Sequence, residues 1–230
     1  SAKKYTGSSY IAYFQAYTNT YASLAYLEKL YMEAILHPDI RILSIATRPD
    51  CLSTEILDLL ERLNQIKPVC VELGRQTIKE RTARYIRRGY DLPVFETAVS
   101  ELRRRGIDVI VHTILCLPGE TKPDMLQTIQ YLNRQDIQGI KLQLLHILKD
   151  TDLAEIYASD PFPVPDPQEY YELLGVCINH LRPDIVIHRL TGDGPKELLT
   201  APLWTCNKRQ VLNQLQSYFK THDIWQGKEY

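Results

Sequence analysis

The chain has 230 residues, 44% hydrophobic and 24% charged, and its 27 basic and 28 acidic side chains leave a formal net charge of −1. This composition supports a packed core and excludes a disordered chain, a collagen-like repeat and a globally basic nucleic-acid binder. No run of 18 apolar residues occurs, so no membrane-spanning helix is expected and the expected compartment is the cytoplasm.

Apolar runs alternate with amphipathic stretches along the chain. A first strand is expected over Tyr10–Ala16, then a helix over Leu24–Leu36 whose Leu27, Leu30, Tyr31 and Ala34 recur at helical spacing. Pro38-Asp39 ends it. A second strand is expected over Ile42–Thr47, and Ser53 should cap a helix running to Leu63. A strand–helix–strand unit follows: strand Val69–Leu73, helices Thr77–Arg87 and Val94–Arg105, Gly106 as the C-terminal cap, and strand Val109–Leu115. Thr121 should cap the next helix, with Pro123 and Asp124 in its first turn. Strand Ile140–Leu145 and a short helix near Leu153–Tyr157 lead into the Pro-rich PFPVPDP. Helix Gln168–Leu181, strand Ile185–Leu190 and helix Lys208–Lys220 complete the expected elements.

Six strands alternating with helices imply a parallel sheet with helices outside it. The expected fold class is α/β, an open or partial TIM-like barrel in one domain, its core over about residues 10–160 with a C-terminal extension over about 161–230. A doubly wound sheet is the rival, but the usual Gly-rich phosphate turn after its first strand is missing.

Alternate residues of a strand share a face. Tyr13, Gln15 and Tyr17 therefore fall together, as do Ser44, Ala46 and Arg48, then Glu72, Gly74 and Gln76, then Ile110, His112, Ile114 and Cys116. Burying such polar groups without partners costs about 1–3 kcal/mol each. Gln15, Ser44, Glu72, Gln76 and His112 must either satisfy one another or line a ligand cavity, and the cavity is preferred for the set. Strand C-terminal ends are where barrels of this class bind ligands, and the tight turn Leu117-Pro118-Gly119-Glu120 follows one of them.

The five cysteines, Cys51, Cys70, Cys116, Cys177 and Cys206, are too widely spaced for a CxxC or CxxxC pair and read as reduced thiols packed as small hydrophobes. No metal triad follows from the scattered His146, His180 and His188. Arg75, Lys79, Arg81, Arg84, Arg87, Arg88 and Arg103–Arg105 make the most basic region, with Arg81, Arg84 and Arg88 on one expected helical face. Such a face suits either solvent or RNA phosphates. Tyrosines crowd the stretch from Tyr5 to Tyr31, where they suit either packing of the strand and helix or stacking on a planar substrate, and Thr191-Gly192-Asp193-Gly194-Pro195 reads either as an anion-binding turn or as a tight turn before a helix starting near Lys196.

The segments YFQAYTNTYA (Tyr13–Ala22), ATRPDCLS (Ala46–Ser53), ELGRQT (Glu72–Thr77), IRRG (Ile86–Gly89), LPGE (Leu117–Glu120), TGDGPKELL (Thr191–Leu199) and APLW (Ala201–Trp204) together resemble radical S-adenosylmethionine proteins. The resemblance is to the branch containing the elongator catalytic subunit and oxygen-independent coproporphyrinogen oxidase, above all its small bacterial YhcC/YtqA-like subfamily. It covers nearly the whole chain. It implies a partial (β/α)6 barrel in which a CxxxCxxC loop binds a [4Fe–4S] cluster and S-adenosylmethionine is cleaved to a 5′-deoxyadenosyl radical. CxxxCxxC is absent from this sequence. The resemblance aligns the chain from just before the family's second barrel strand, so a fragment lacking the first strand and the cluster loop is expected, and the opening Ser1-Ala2 reads the same way. The implied cofactors are S-adenosylmethionine and a [4Fe–4S] cluster confined to the full-length protein; this fragment alone is expected to be inactive.

Carried over residue by residue, Gln76 is implied to lie beside the ribose of S-adenosylmethionine and Arg88 to pair with its carboxylate through a planar guanidinium. His112 stands where relatives often carry Asp, and Cys116 replaces the commoner Gly of GLPGE. Ala46 takes a position often filled by Glu, and Tyr17-Thr18-Asn19 stands at the level of the motif for the methionine amino group. Thr47, Arg48, Gln15 and Glu72 complete the candidate cofactor contacts; no catalytic residue and no metal ligand is assigned. The implied partners are an unidentified substrate, with tRNA as candidate because relatives act on wobble uridines, and a reductase as electron donor to the full-length protein. Two other classes stay open: a cluster-free barrel acting as scaffold or binding module, and a TIM-like metabolic enzyme using Glu72 and His112 as acid and base.

Overall fold

A computed structural model describes residues 7–15, 17–192 and 194–230. Ser1-Ala2, Tyr5, Ala16 at the expected end of the first strand, and Asp193 in the TGDGP turn lie outside the described residues. The elements in chain order are β1 (Tyr10–Phe14), α1 (Leu24–Leu36), β2 (Ile40–Thr47), α2 (Thr54–Asn64), β3 (Val69–Gln76), α3 (Glu80–Tyr85), α4 (Leu92–Arg104), β4 (Asp108–Leu115), α5 (Lys122–Leu132) and β5 (Gly139–Leu144). They continue with β6 (Ile147–Leu148), α6 (Asp152–Ser159), α7 (Pro167–Asn179), β7 (Val186–Arg189), β8 (Leu199–Ala201) and α8 (Lys208–Thr221). The fold is α/β: six parallel strands make one sheet in the order β1-β2-β3-β4-β5-β7, and β6 and β8 form a second, antiparallel pair.

The chain divides into two compact units. The first comprises the chain up to Arg75 with Tyr90–Val111 and Gln135–Gly139. Its core is built from strand residues Leu43, Ile45, Val71 and Leu73 against Leu27, Tyr31 and Ile35 of α1, Leu60 and Leu63 of α2, and Phe95 and Leu102 of α4, all at most 1% exposed. The helical residues recur at three- and four-residue spacing, which gives each helix one apolar stripe to bury. Ser53 caps α2 as expected, its side chain accepting from the Ile56 N–H. Beneath Phe95 lies fully buried Arg75, its guanidinium carbon 5.7 Å from the ring centroid.

The second unit comprises Gln76–Gly89, His112–Arg134 and Ile140–Tyr230. Two capping boxes fix its helices: Asp124 accepts from the Thr121 N–H at 2.9 Å, and Asp166 and Glu169 bond each other's backbone N–H at 2.8 and 2.9 Å. The tail docks on the end of α7, Glu229 N–H donating to the Asn179 carbonyl at 2.8 Å.

Several expectations change. The strand expected to stop at Leu73 continues to Gln76, and the helix expected over Thr77–Arg87 shrinks to α3, because Thr77 Oγ1 takes the Lys79 N–H in a local turn. At its other end α3 closes in a Schellman motif: Arg87 N–H bonds the Arg84 carbonyl, Arg88 N–H bonds the Ala83 carbonyl, and Arg87 sits left-handed at φ 53°. Arg88 therefore does not share a helical face with Arg81 and Arg84. The helix expected from Lys196 is a single 3₁₀ turn, Lys196–Leu198, and the β6–β8 pair was not anticipated.

Candidate functional site

In the first unit a polar group is assembled on one face of three adjacent strands. Parallel register sets Tyr13 opposite Ser44 and Ala46 opposite Glu72. The Tyr13 hydroxyl donates to Glu72 Oε2 at 2.8 Å and the Ser44 hydroxyl to Oε1 at 2.9 Å. Glu72 is 4% exposed, so two donors replace the water its carboxylate gives up. Thr47, at the end of β2, is buried beside Thr20, their hydroxyl oxygens 2.5 Å apart. Thr20 gives its own proton to the Cys51 carbonyl at 2.6 Å, so Thr47 is the donor of the pair.

The loop after β1 is braced by Asn19, whose Nδ2 donates to the carbonyls of Phe14 and Ala46 at 3.0 and 2.9 Å. Tyr17 in that loop is left-handed at φ 62° and 98% exposed. Gln15 falls just beyond β1 and is exposed. Arg48 is half-exposed; it pairs with Asp50 at 2.6 Å and lies 5.5 Å from the Tyr90 ring centroid, and its hydrogen bond holds the Asp50 carboxyl below the usual carboxylate range.

In the second unit the strand ends carry strained backbone. Gln76 closes β3 at φ 49° and Cys116 follows β4 at φ 63°. Non-glycine residues adopt this region at a cost, and such positions concentrate at ligand-binding and active sites. Arg88 is 6% exposed; its Nη1 donates to the Thr77 carbonyl at 3.0 Å and its Nη2 to Glu80 Oε1 at 3.0 Å. His112 Nδ1 lies 3.2 Å from Gln143 Nε2, and Gln143 Oε1 lies 3.5 Å from Arg189 Nη1, giving a row of polar side chains from β4 through β5 to β7. Burial pushes the Cys116 thiol up to about 12, and its backbone N–H rests against Met125 Sδ at 3.0 Å. Glu120, at the end of the LPGE turn, has its carboxyl raised by burial, an effect that the Thr77 and Thr82 hydroxyls oppose.

Sequence reasoning missed Arg189 and Thr77 as members of these groups. Arg189 had a usable signal, since it follows His188 at the end of a strand that begins with apolar residues. The basic region is reduced: Arg75 is fully buried, Arg88 nearly so, and Arg87 pairs with Asp152 at 2.5 Å, leaving Arg81 and Arg84 exposed on α3. Among the described residues no group of three His, Cys, Asp or Glu side chains is placed to hold a metal ion, and no helix is long and apolar enough to cross a membrane.

The family model of the Radical SAM superfamily matches residues 2–132, and that of the Radical_SAM C-terminal domain matches residues 137–221. YtqA of Bacillus subtilis (strain 168) is 38% identical over 226 residues, which is 98% of this chain and 70% of that protein. YhcC of Escherichia coli (strain K12) is 35% identical over 216 residues, 94% of this chain and 70% of that protein. Among solved structures, the archaeal Methanocaldococcus infernus Elp3 with an N-terminal deletion (1–46) superposes with a TM-score of 0.80 at 15% identity. That match covers 95% of this chain and 55% of the Elp3 chain, and it shows the same partial-barrel fold class. With more than half of its length matched by the superfamily model and a relative above 30% identity covered over more than two thirds of its length, this chain belongs to the radical SAM superfamily.

Proposed function

We propose that this chain is the S-adenosylmethionine-binding core of a radical enzyme whose full-length form generates a 5′-deoxyadenosyl radical and acts in RNA modification, with tRNA as substrate. The observation that carries the reading is the polar row His112–Gln143–Arg189 in the same unit as the left-handed strand-end residues Gln76 and Cys116, in a chain of radical SAM membership. Amide and imidazole groups there offer both donors and acceptors, which suits the hydroxyls and base edges of a nucleoside.

The two cofactors of the family fare differently against the residues present. Burial keeps Cys116 and Cys177 protonated, each pushed up to about 12, and no three ligands converge among the described residues. A cluster needs thiolates, so the described residues do not fit it, and its ligands belong to sequence outside them. S-adenosylmethionine fits better. In the second unit Gln76 is assigned to the ribose and His112 and Cys116 to the neighbouring contacts, while Arg88, buried and bonded to the Thr77 carbonyl and Glu80, is assigned to holding that strand end rather than to the carboxylate. In the first unit Glu72 is held by Tyr13 and Ser44, Thr47 by Thr20 and Arg48 by Asp50, and Gln15 is exposed, so no cofactor contact is proposed for these four. When bound, the cofactor supplies the radical; the chain's own task is to orient it and exclude water. The exposed Arg81 and Arg84 are proposed to meet RNA phosphates, and a reductase to supply electrons to the full-length protein.

The test is anaerobic reconstitution of the full-length protein with iron and sulfide, then incubation with S-adenosylmethionine and dithionite. Release of 5′-deoxyadenosine is expected, and nucleoside analysis of added tRNA should show a modified uridine. A reconstituted protein that carries its cluster and yields no 5′-deoxyadenosine would overturn the radical reading. Turnover that leaves tRNA unchanged would remove the RNA assignment alone.

A further inference from the structure

We propose that the outward face of α8 is a docking surface for the phosphate backbone of an RNA strand. This rests on the RNA reading above and gives the strand a place on residues that have no assigned part in holding the cofactor. Helix α8 buries Val211 and Leu215 and turns Arg209, Asn213, Gln216, Ser217 and Lys220 to solvent. Among the described residues, α1 to α7 each carry at least one Asp or Glu, and α8 carries none. It therefore forgoes every acid–base pair along its own surface, each of which would add a little helix stability. Arg209 also stands in the first turn, where a cation opposes the helix dipole. Neither choice helps the helix form, and both favour an anionic partner. Arg209 and Lys220 lie three turns apart, so they share one side of the helix at a separation of about 16 Å along its axis. Both are exposed, and neither makes an ion pair with an acid among the described residues.

A shallow groove of about 370 Å³ runs along this face, lined by Asn207, Arg209, Gln210, Asn213, Gln214 and Ser217. Internal hydrogen bonds decide what the groove offers. Gln214 Oε1 accepts from the Tyr171 hydroxyl at 2.9 Å, and Gln210 Oε1 accepts from Asn207 Nδ2 at 3.1 Å. With these oxygens engaged inside the protein, the two amide NH2 groups remain to donate outward. The Arg209 guanidinium adds its own N–H groups at the same place. A groove rich in donors and free of carboxylates complements a ligand that presents negatively charged acceptors. A nucleic-acid backbone is such a ligand, because its phosphate oxygens only accept, and Arg, Lys, Asn, Gln and Ser are among the side chains that meet them. That charge and donor complementarity commits the surface to RNA.

The experiment is fluorescence anisotropy of labelled tRNA titrated with the full-length protein over a range of salt concentrations. The double variant Gln210→Glu, Gln214→Glu keeps the oxygens that Asn207 and Tyr171 use and replaces both outward donors with charge. It should fold, which circular dichroism checks, and bind tRNA about tenfold or more weakly. Arg209→Gln combined with Lys220→Gln should flatten the slope of log Kd against log salt by about one to two, as two lost phosphate contacts require. Lys29→Glu, an exposed reversal on α1 in the first unit, changes net charge as much as the double Gln→Glu variant and should leave affinity unchanged. Wild-type affinity and salt slope in both α8 variants would overturn the α8 surface and leave the RNA reading standing. A loss in Lys29→Glu equal to that of the double Gln→Glu variant would also overturn the surface, because net charge alone would then account for it. Wild-type protein that binds no tRNA would overturn the RNA reading and this inference together.

Discussion

Ser44 on β2 donates its hydroxyl to Glu72 Oε1 on β3 at 2.9 Å, across a strand pair in which the residue facing Glu72 is Ala46. The small Ala46 side chain leaves room for the carboxylate, which is shared between Ser44 and the Tyr13 hydroxyl on the far side. Removing the acceptor strands both hydroxyls. Glu72→Ala is expected to lower unfolding free energy by about 2–4 kcal/mol, the sum of one buried and one half-buried orphan. Glu72→Gln keeps one acceptor oxygen and should cost about half as much. Urea unfolding followed by circular dichroism measures the difference, and equal losses in the two variants would show that shape rather than hydrogen bonding holds the group.

Arg88 answers a different question. Its guanidinium holds the Thr77 carbonyl and Glu80 at once, so it fastens the turn that follows Gln76. Arg88→Met should cost about 2–3 kcal/mol, less than the roughly 3–5 kcal/mol of a fully buried pair because Glu80 is half-exposed. Arg88→Lys supplies a point charge without the fork and should recover only part of that. An Arg88→Met variant within about 0.5 kcal/mol of wild type by urea unfolding would mean that the turn holds itself.

Much of this fold was legible because each element repeats its own period. Of the stripe expected in α1, Leu27 and Tyr31 are buried, Leu30 and Ala34 are half-buried, and Ile35 joins them from outside it, while Thr121 with Asp124 announces a helix start chemically. The end of β3 was not legible. Gly74, Arg75 and Gln76 look like a loop, and their continuation as strand goes with burial of Arg75 beneath Phe95, a contact distant in sequence. Arg88 was misplaced on a helix face because Arg87 carries no sequence mark of a left-handed cap, a role usually taken by Gly. The β6–β8 pair joins Ile147 to Ala201 through short strands far apart in sequence, which no local pattern encodes. The alternation rule put Tyr13, Ser44 and Glu72 on inward strand faces, and their side chains meet in the first unit. Gln15 ended up exposed because β1 stops at Phe14, one residue short of it.

The thiols give a chemical prediction. Burial, reinforced by Glu120 and Glu169, pushes Cys116 up to about 12, and burial does the same to Cys177. The thiolate is the reactive form, so both should resist iodoacetamide at pH 7.5 in the folded chain and react fully in urea. Peptide mass spectrometry reads this site by site. Alkylation of native Cys116 at the rate of a free cysteine would show that water reaches the strand end.

Glu120 and Asp124 lie four residues apart around the start of α5 and are driven in opposite directions. Lys79, 2.7 Å from Asp124, together with Thr121 holds the Asp124 carboxyl down to about 2. A folded value below the unfolded one contributes stability above the ordinary carboxylate pKa near 4, and that contribution is lost as pH falls from about 4 to about 2. With the side chain 26% exposed, solvent screening leaves about 1 kcal/mol of it. Glu120 has the opposite sign. Burial raises its pKa, so its charged form costs stability at neutral pH, and the cost disappears as pH falls through the raised value. Asp124→Asn should therefore flatten the acid limb of the stability curve, while Glu120→Gln should stabilise the chain at pH 7 and confer no gain at pH 3. Urea midpoints for the three proteins between pH 2 and 8 decide both. An Asp124→Asn curve parallel to wild type below pH 4 would show that the Lys79 pair contributes nothing. A Glu120→Gln variant weaker than wild type at pH 7 would show that the Thr77 and Thr82 hydroxyls outweigh the burial of the charge.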